Sequence, residues 1–171
     1  MTTSDSEPRA ALALTVRRYE PADEAWVRAW FRDPEVDRWL GPLDDDWCAH
    51  VETETTGVQL VVENGRRPLA LVGVEWDPLG DRHAVTDVAV DPSRRRSGVG
   101  RAALGAALAW PGHPPATGWV AFVDPDNAAA LGFFAALGWT AGVLDDGLRR
   151  VTSPSGGHRT SGAVAGPGAR G

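Results

Sequence analysis

The chain contains no lysine, so all of its fixed side-chain cations are arginines. With Cys48 as its single cysteine, it cannot form an internal disulfide bond, which favours a reducing compartment and predicts a cytoplasmic protein. No apolar run approaches the roughly 20 residues that a membrane-spanning helix needs. Residues 1–10 are polar and acidic, and we therefore expect no secretory signal peptide there.

Acidic residues outnumber basic ones, 23 against 17, and the formal net charge at pH 7 is −6. This balance argues against non-specific binding to nucleic acid, whose backbone is itself negatively charged. It agrees with a cationic partner such as an amine, but a requirement for solubility would explain the same net charge. We expect neither a metal ion nor a nucleic-acid or membrane partner. The length of 171 residues fits one domain with a genuine hydrophobic core.

The order of apolar runs and turn signals predicts an α/β domain over residues 11–152. We expect a flexible N-terminus over residues 1–10 and a disordered tail over residues 153–171, where apolar side chains nearly vanish. Residues 33–42 we interpret as a broken connection. The predicted elements are, in chain order, strand Leu12–Tyr19, helix Pro21–Phe31, helix Asp45–Glu54, strands Val58–Glu63, Pro68–Trp76 and His83–Val90, helix Ala102–Ala109, strand Trp119–Val123, a helix from Asn127 and a final hairpin.

The stretch from Val88 to Arg101 contains a β-branched apolar run, a turn, an arginine-rich loop with two glycines and the start of an Ala/Leu helix. The first turn of a helix has backbone N–H groups without internal partners, and the helix dipole places partial positive charge there. Glycines allow a phosphate to approach the backbone, and the arginines add formal charge. The segment therefore suits a phosphorylated ligand, although a solvated basic loop between a strand and a helix has the same order.

A second motif, Asn127–Trp139, predicts a short helix that Asp126 or Asn127 caps and Gly138 ends. Together the motifs resemble the GNAT superfamily of acetyl-CoA-dependent N-acetyltransferases. Residues 95–100, Arg-Arg-Ser-Gly-Val-Gly, match the pyrophosphate loop of that family. The second motif matches the family's Asn-x-x-Ala…Leu-Gly-Phe segment, with tryptophan in the last place. The resemblance covers about residues 12–151.

The resemblance implies the GNAT fold, a mixed and mostly antiparallel sheet that splays at its fourth and fifth strands and has helices on both faces. It implies acetyl-CoA as the co-substrate, with the pantetheine arm along the fourth strand and the pyrophosphate on the arginine–glycine loop. The cofactor-binding residues that it implies are Val88, Ala89, Val90, Arg95, Arg96, Ser97, Gly98, Val99, Gly100, Arg101, Asn127 and Phe134.

Two residues that family members use for proton transfer are missing from their motif positions. Where many members have a tyrosine that protonates the leaving thiolate, this chain has Phe134. Where ribosomal-protein acetyltransferases have a glutamate, it has Phe122. The only tyrosine, Tyr19, lies on the first predicted strand, and we expect it in the core. The family also tolerates catalysis by positioning, with water taking the proton.

Asp87 and Glu75 are the candidate catalytic residues. Asp87 precedes Val88 on the strand that the resemblance places beside the acetyl group, so its carboxylate could bind the acceptor ammonium or relay its proton. Glu75 ends the neighbouring strand and could face the acceptor cleft. Each could equally be a solvated carboxylate. Weaker candidates are His83, which we expect at the surface, and Asp124, which we expect to cap a turn.

Aromatic and acidic residues cluster in the first part of the chain, where the family places its acceptor-binding helices. Trp39 and Trp47 flank the acidic run Asp44–Asp46, a combination that suits a polyamine or an aminoglycoside. Packing by the tryptophans and helix capping by Asp44 would explain the same residues. The sequence of residues 33–41 resembles both the ribosomal-protein branch and the aminoglycoside 6′-N-acetyltransferase branch and does not separate them.

The leading hypothesis is direct acetyl transfer from acetyl-CoA to a primary amine, either a small cationic molecule or a protein N-terminus. No cysteine or serine lies in a recognisable nucleophile motif, so a covalent enzyme intermediate has no support. The alternative is a non-catalytic acyl-CoA-binding or regulatory module on the same fold, which Phe134 and Phe122 favour. We expect a monomer or a homodimer.

Overall fold

A computed structural model describes residues 13–154, so the predicted flexible N-terminus and nearly all of the predicted tail lie outside the described residues. The strands and α-helices of this range are, in chain order, β1 (Leu14–Arg18), α1 (Glu24–Phe31), α2 (Pro34–Leu40), α3 (Asp45–Thr53), β2 (Gly57–Asn64), β3 (Arg67–Glu75), β4 (Arg82–Val90), α4 (Val99–Leu108), β5 (Gly118–Val123), α5 (Ala128–Ala136), β6 (Thr140–Asp145) and β7 (Leu148–Thr152). None of these helices has the length and apolar character that crossing a membrane requires.

The strands form one mixed sheet with the order β1-β2-β3-β4-β5-β7-β6. Neighbouring strands are antiparallel except β4 and β5, which run parallel. Because side chains alternate between the faces of a strand, Leu60 and Val62 of β2 pack in one core and Val61 packs in another. Helices α4 and α5 cover the first core, whereas α1, α2 and α3 lie over the second. The predicted α/β fold with helices on both faces is therefore confirmed.

Residues 33–42 contain the helix α2, so the interpretation of this stretch as a broken connection is wrong. The Asp33 side chain accepts hydrogen bonds from the backbone N–H groups of Glu35 and Val36. Pro34 occupies the first helical position, where its missing N–H does no harm. Gly41 follows the last helical residue with a φ of 78°, which glycine adopts without strain. A helix of seven residues is too short to show a clear apolar period in the sequence.

Strands β4 and β5 pair over only part of their lengths. Their register joins Arg82–Val85 to Gly118–Ala121, whereas β4 pairs with β3 as far as Val90. Beyond Val85, the β5 side of β4 has no strand partner within residues 13–154. Backbone groups of this kind must be satisfied by water or by another molecule. The predicted splay at the fourth and fifth strands is thus confirmed, and it opens a gap in the middle of the sheet.

The expectation that His83 lies at the surface is wrong, because its side chain is only 1% exposed. Its Nδ1 accepts the backbone N–H of Asp77 at 3.1 Å, and its Nε2 then donates to the carbonyl oxygen of Pro114 at 2.8 Å. The ring therefore joins the loops that follow β3 and α4. A neutral imidazole provides both bonds, which makes His83 a structural residue.

His113 makes the stability of the protein sensitive to mild acid. Its Nδ1 accepts the indole N–H of Trp76 and its Nε2 donates to the carbonyl oxygen of Ala107, which only a neutral ring can do. Burial lowers the pKa of His113 below the ordinary value of 6.5, against the opposing effect of its hydrogen bond to Ala107. The unfolded chain therefore takes up a proton before the folded chain does. We expect the free energy of unfolding to fall as the pH drops below about 6.5.

The test compares urea midpoints at about pH 8 and about pH 5.5. In His113→Gln the amide keeps one donor and one acceptor but does not titrate, so the fall should be smaller than in the wild type. His50→Gln on α3, where the side chain is mostly exposed and lies 2.9 Å from Glu54, is the control and should not make the fall smaller. A fall of wild-type size in His113→Gln would show that other groups cause the acid sensitivity.

Candidate active site

The gap between β4 and β5 opens into a cavity of about 590 Å³. Helix α2, the loop between β4 and α4, the end of β5 and helix α5 surround it. Its charged and polar lining side chains include Glu35, Asp87, Arg94, Arg95, Arg96, Arg101, Asp124 and Asn127. The four arginines all follow the C-terminal end of β4, whereas Asp87 lies within that strand.

The loop before α4 has the local features of an anion site. Gly98 precedes the first residue of α4 with a φ of 83°, and no atom lies within 4 Å of the position that a Cβ would take there. The approach to the helix N-terminus is therefore open. Gly100 packs closely, because a Cβ there would lie 3.3 Å from Val90 Cγ2 and 3.4 Å from Phe133 Cε2. Arg96 also has a positive φ, 60°, which is uncommon for a residue with a side chain.

Arg95 ties this loop to the start of α2. It donates from Nη2 to Asp33 Oδ1 at 2.7 Å and from Nη1 to Glu35 Oε2 at 2.9 Å. The guanidinium and the two backbone donors of α2 hold the pKa of the Asp33 carboxyl below its ordinary value. The contact joins residues 62 positions apart, so no local sequence signal could have found it.

The remaining arginines of the cavity differ in whether their side chains form hydrogen bonds with the protein. Arg101 donates to the carbonyl oxygen of Ala136 at the end of α5. The side chains of Arg94 and Arg96 make no hydrogen bond or ion pair within residues 13–154. These two guanidinium groups are therefore the ones available to an anionic ligand.

Ten of the twelve residues predicted to bind the co-substrate line the cavity, namely Val88, Ala89, Val90, Arg95, Arg96, Gly98, Gly100, Arg101, Asn127 and Phe134. The other two point elsewhere. Ser97 donates from Oγ to the carbonyl oxygen of Arg94, and Val99 is buried in the core. Asn127 is the residue that caps α5, since its Oδ1 accepts the backbone N–H of Ala130 at 2.9 Å.

Asp87 is a half-buried carboxylate in the wall of the cavity. Its Oδ2 accepts hydrogen bonds from Gln59 Nε2 at 3.0 Å and from Thr86 Oγ1 at 3.1 Å. Burial raises the pKa of Asp87 above its ordinary value, against the opposing effect of these two donors. Gln59 lies on β2, two strands away, and belongs to no motif that sequence reasoning could have recognised.

The other candidate acids and bases are placed less favourably. Glu75 is exposed at the end of β3, and the structure does not bring it to the cavity. Asp124 lines the cavity, but its Oδ1 accepts the backbone N–H of Asp126 at 2.8 Å, as a turn-capping residue does. Tyr19 is partly buried beside the second core, edge-on to Trp47.

The aromatic and acidic residues of the first helices could bind an acceptor or could serve packing and helix capping, and the structure shows both situations. Trp39 lines the cavity beside Leu40, and the guanidinium of Arg38 lies over its ring, 4.6 Å from the ring centre. Trp47 packs against Phe31, and the Asp44 side chain accepts the backbone N–H of Trp47 as the cap of α3. Of the residues Trp39, Trp47 and Asp44, only Trp39 lines the cavity.

The gap in the sheet and the loop before α4 together define a class of protein. Its members are α/β proteins whose sheet opens between two parallel strands, next to an arginine-rich helix N-terminus. The model of the acetyltransferase (GNAT) family matches residues 22–139, which is more than half of the chain. The chain therefore belongs to the GNAT acetyltransferase family, as the resemblance of its two motifs predicts.

Curated relatives include two mycothiol acetyltransferases. The protein of Thermobispora bispora is 30% identical over 172 aligned positions, which cover 88% of this chain and 54% of the relative. The protein of Thermomonospora curvata is 29% identical over 145 positions, which cover 77% of this chain and 46% of the relative. The chain thus spans about half the length of these curated relatives.

Solved structures share the fold at low sequence identity. An acetyltransferase from Thermus thermophilus matches with a TM-score of 0.67 at 18% identity, covering 81% of this chain and 94% of its own. A diaminobutyrate acetyltransferase from Paenibacillus lautus, in complex with L-2,4-diaminobutyric acid and coenzyme A, has a TM-score of 0.60 at 20% identity. That match covers 84% of this chain and 96% of the other.

We expect the arginine–glycine loop to be required for binding of coenzyme A. Arg96→Ala removes an available guanidinium, and a charge-assisted phosphate contact is worth about 1.5–3 kcal/mol, or roughly a 10- to 100-fold weaker Kd. Gly98→Trp closes the approach to the N-terminus of α4. The double variant should therefore show no measurable binding of coenzyme A in a calorimetric titration.

Two matched controls separate the site from general damage. Arg66→Ala removes an exposed arginine in the turn between β2 and β3. Gly147→Trp alters a glycine with a φ of 82° and equally open surroundings in the β6–β7 turn. Both should bind coenzyme A as the wild type does. Unchanged binding in the Arg96→Ala/Gly98→Trp variant would contradict the assignment of this loop.

Proposed function

We propose that the protein is an N-acetyltransferase that moves the acetyl group of acetyl-CoA directly to a primary amine. The observation that carries this proposal is one cavity that combines an arginine-rich helix N-terminus, an unpaired length of β4 backbone and the Asp87 carboxylate. Membership in the GNAT family supports acyl transfer. The single cysteine, Cys48, agrees with a cytoplasmic location, where thiols stay reduced.

The residues around the gap fit acetyl-CoA as a substrate. Arg94, Arg96 and the open N-terminus of α4 suit its diphosphate, because backbone N–H groups and guanidinium groups are both strong phosphate donors. The backbone of β4 beyond Val85 offers donors and acceptors to the amide groups of an extended arm, as an exposed sheet edge does for an added strand. When bound, acetyl-CoA would supply an activated thioester.

We assign to Asp87 the removal of a proton from the acceptor amine. A primary amine arrives largely as an ammonium ion, and only its neutral form is a nucleophile. The Asp87 carboxylate takes one proton from the ammonium, and burial favours this uptake by raising the pKa of the carboxyl.

The transfer of the acetyl group itself requires no further residue of the protein. The amine nitrogen bonds to the thioester carbonyl carbon as the carbon–sulfur bond breaks. The new amide nitrogen loses one proton and the leaving thiolate gains one. The proton held by Asp87 then passes to solvent, so each transfer releases one proton.

A small amine is the acceptor class that we favour. The curated relatives are named for mycothiol and the Paenibacillus lautus neighbour for diaminobutyrate, both of which are small molecules. Trp39 in the wall of the cavity and the net charge of −6 agree with a cationic acceptor. A protein N-terminus is the second acceptor class.

A non-catalytic acyl-CoA-binding module is the alternative function. Phe122 and Phe134 favour it, because both line the cavity at positions where the family resemblance places a proton donor or acceptor. Neither phenyl ring exchanges a proton. Phe134 is 5% exposed, and its ring centre lies 4.7 Å from that of Trp139, as in an ordinary core contact.

Asp87→Asn distinguishes the enzyme from the binding module. Asparagine fills the same space but cannot take up the proton, and loss of a general base lowers rates by roughly 10²- to 10⁴-fold. We expect kcat to fall by this factor while the Kd for acetyl-CoA stays unchanged. The measurement is thiol release from acetyl-CoA with 2,4-diaminobutyrate, spermidine, an aminoglycoside and an alanine-initiated peptide as acceptors.

Asp145→Asn, an exposed residue at the end of β6, is the control and should keep wild-type rates. Activity of Asp87→Asn equal to that of the wild type would remove Asp87 from the mechanism. Binding of acetyl-CoA by the wild type without thiol release to any of these amines would favour the non-catalytic module.

A further inference from the structure

A β-bulge in β4 sets the surroundings of Asp87. The register of β3 and β4 pairs Gly73 with Asp87 and Val74 with Val85, which leaves Thr86 as an extra residue. A bulge of this kind places two residues of one strand opposite a single residue of the other. Thr86 and Asp87 therefore both lie against Gly73.

Gly73 provides the space in which three polar side chains meet. A Cβ at this position would lie 2.6 Å from Asp87 Oδ2 and 2.7 Å from Gln59 Nε2, and it would also clash with Thr86 Oγ1. Any other residue would displace this cluster. Because β3 has no side chain here, Gln59 reaches across it from β2 and donates to Asp87.

The two partners of Asp87 are neutral and can both donate and accept. An ionised carboxylate only accepts hydrogen bonds, whereas a protonated one also donates from its O–H group. The Gln59 amide donates from Nε2 to the ionised form, and after a half-turn its Oε1 accepts from the protonated form. That Oε1 is buried and has no hydrogen-bond partner within residues 13–154. The Thr86 hydroxyl can reverse its role in the same way.

Several charged side chains line the cavity together with Asp87. They are Glu35 on α2, Asp124 after β5, and Arg94, Arg95, Arg96 and Arg101 around the start of α4. Within residues 13–154 none of them forms an ion pair or a hydrogen bond with Asp87. Towards β2 and β3, the facing groups are the uncharged Gln59 and Gly73.

We propose that Gln59 and Thr86, in the space left by Gly73, are positioning residues that hold Asp87 in the wall of the cavity in both of its protonation states. This inference rests on the proposed role of Asp87 as the group that takes the acceptor proton. A charged neighbour would fix one protonation state, whereas these neutral neighbours can bond to both, and the two donor hydrogen bonds that the structure shows favour the ionised one. The same two side chains thereby serve a carboxyl group that gains and loses a proton in every cycle.

The test is an NMR titration of the Asp87 carboxyl carbon in protein labelled at its aspartate side chains, with Asp87→Asn to identify the signal. The wild-type midpoint should lie above the ordinary value of 3.8. Gln59→Met keeps the length of the side chain but removes its donor, so the midpoint should rise by about one pH unit. Thr86→Val should raise it in the same direction.

Three further variants show whether the hydrogen bonds are responsible for the shift of the Asp87 midpoint. Thr86→Ser retains the hydroxyl and should keep the wild-type midpoint, and so should Thr140→Val on the exposed strand β6. Gly73→Ala introduces the clashing Cβ and should move the Asp87 midpoint without removing any polar group. The midpoint of the acid limb of kcat/KM for the acceptor amine should follow the NMR midpoint across the series.

The outcomes separate this inference from the proposed function. A midpoint for Asp87 that is the same in Gln59→Met, Thr86→Val and the wild type would overturn the positioning role, whatever the activity of Asp87→Asn. Full thiol release by Asp87→Asn would instead refute the catalytic role of Asp87, even if the titration midpoints move as expected. A rise in Gln59→Met and Thr86→Val, with no change in Thr86→Ser, would support the inference.

Discussion

The end of pairing between β4 and β5 after Val85 is the constraint on which the rest of the site depends. Strand β5 stays paired with β7 as far as Val123 and so follows the other half of the sheet. Strand β4 stays with β3 and contains the bulge at Thr86, which increases local twist. The sheet thus divides into two halves that share only a short parallel ladder. A continuous ladder would have closed the cavity and satisfied the backbone groups that now face it.

Charge in this site positions elements as well as attracting a ligand. Arg95 belongs to the loop that the family motif assigns to pyrophosphate, yet its guanidinium is bound to Asp33 and Glu35. A partly exposed ion pair of this kind contributes little to the free energy of unfolding. Its effect is geometric, because it holds the wall formed by α2 against the loop between β4 and α4. The arginines that stay available, Arg94 and Arg96, flank it in the chain.

Phenylalanine occupies the two motif positions where the family resemblance implies an acid or a base, so the proposed chemistry depends on the surroundings of Asp87. Asp87 would be an ordinary carboxylate on a solvated strand. Burial raises its proton affinity, against the opposing effect of the two neutral donors Gln59 and Thr86. The phenyl rings of Phe122 and Phe134 line the same cavity and leave no second proton-transferring group at the motif positions.

Local patterns in the sequence determined most elements, the strand–loop–helix at Val88–Arg101 and the cap at Asn127, because alternation, glycine turns and capping depend on neighbours along the chain. They also indicated the family and the splayed sheet. Only the tertiary structure decided the burial of His83, the attachment of Arg95 to α2 and the contact of Gln59 with Asp87. These depend on which distant segments the sheet register brings together, and a bulge shifts that register by one residue without leaving a recognisable pattern in the sequence.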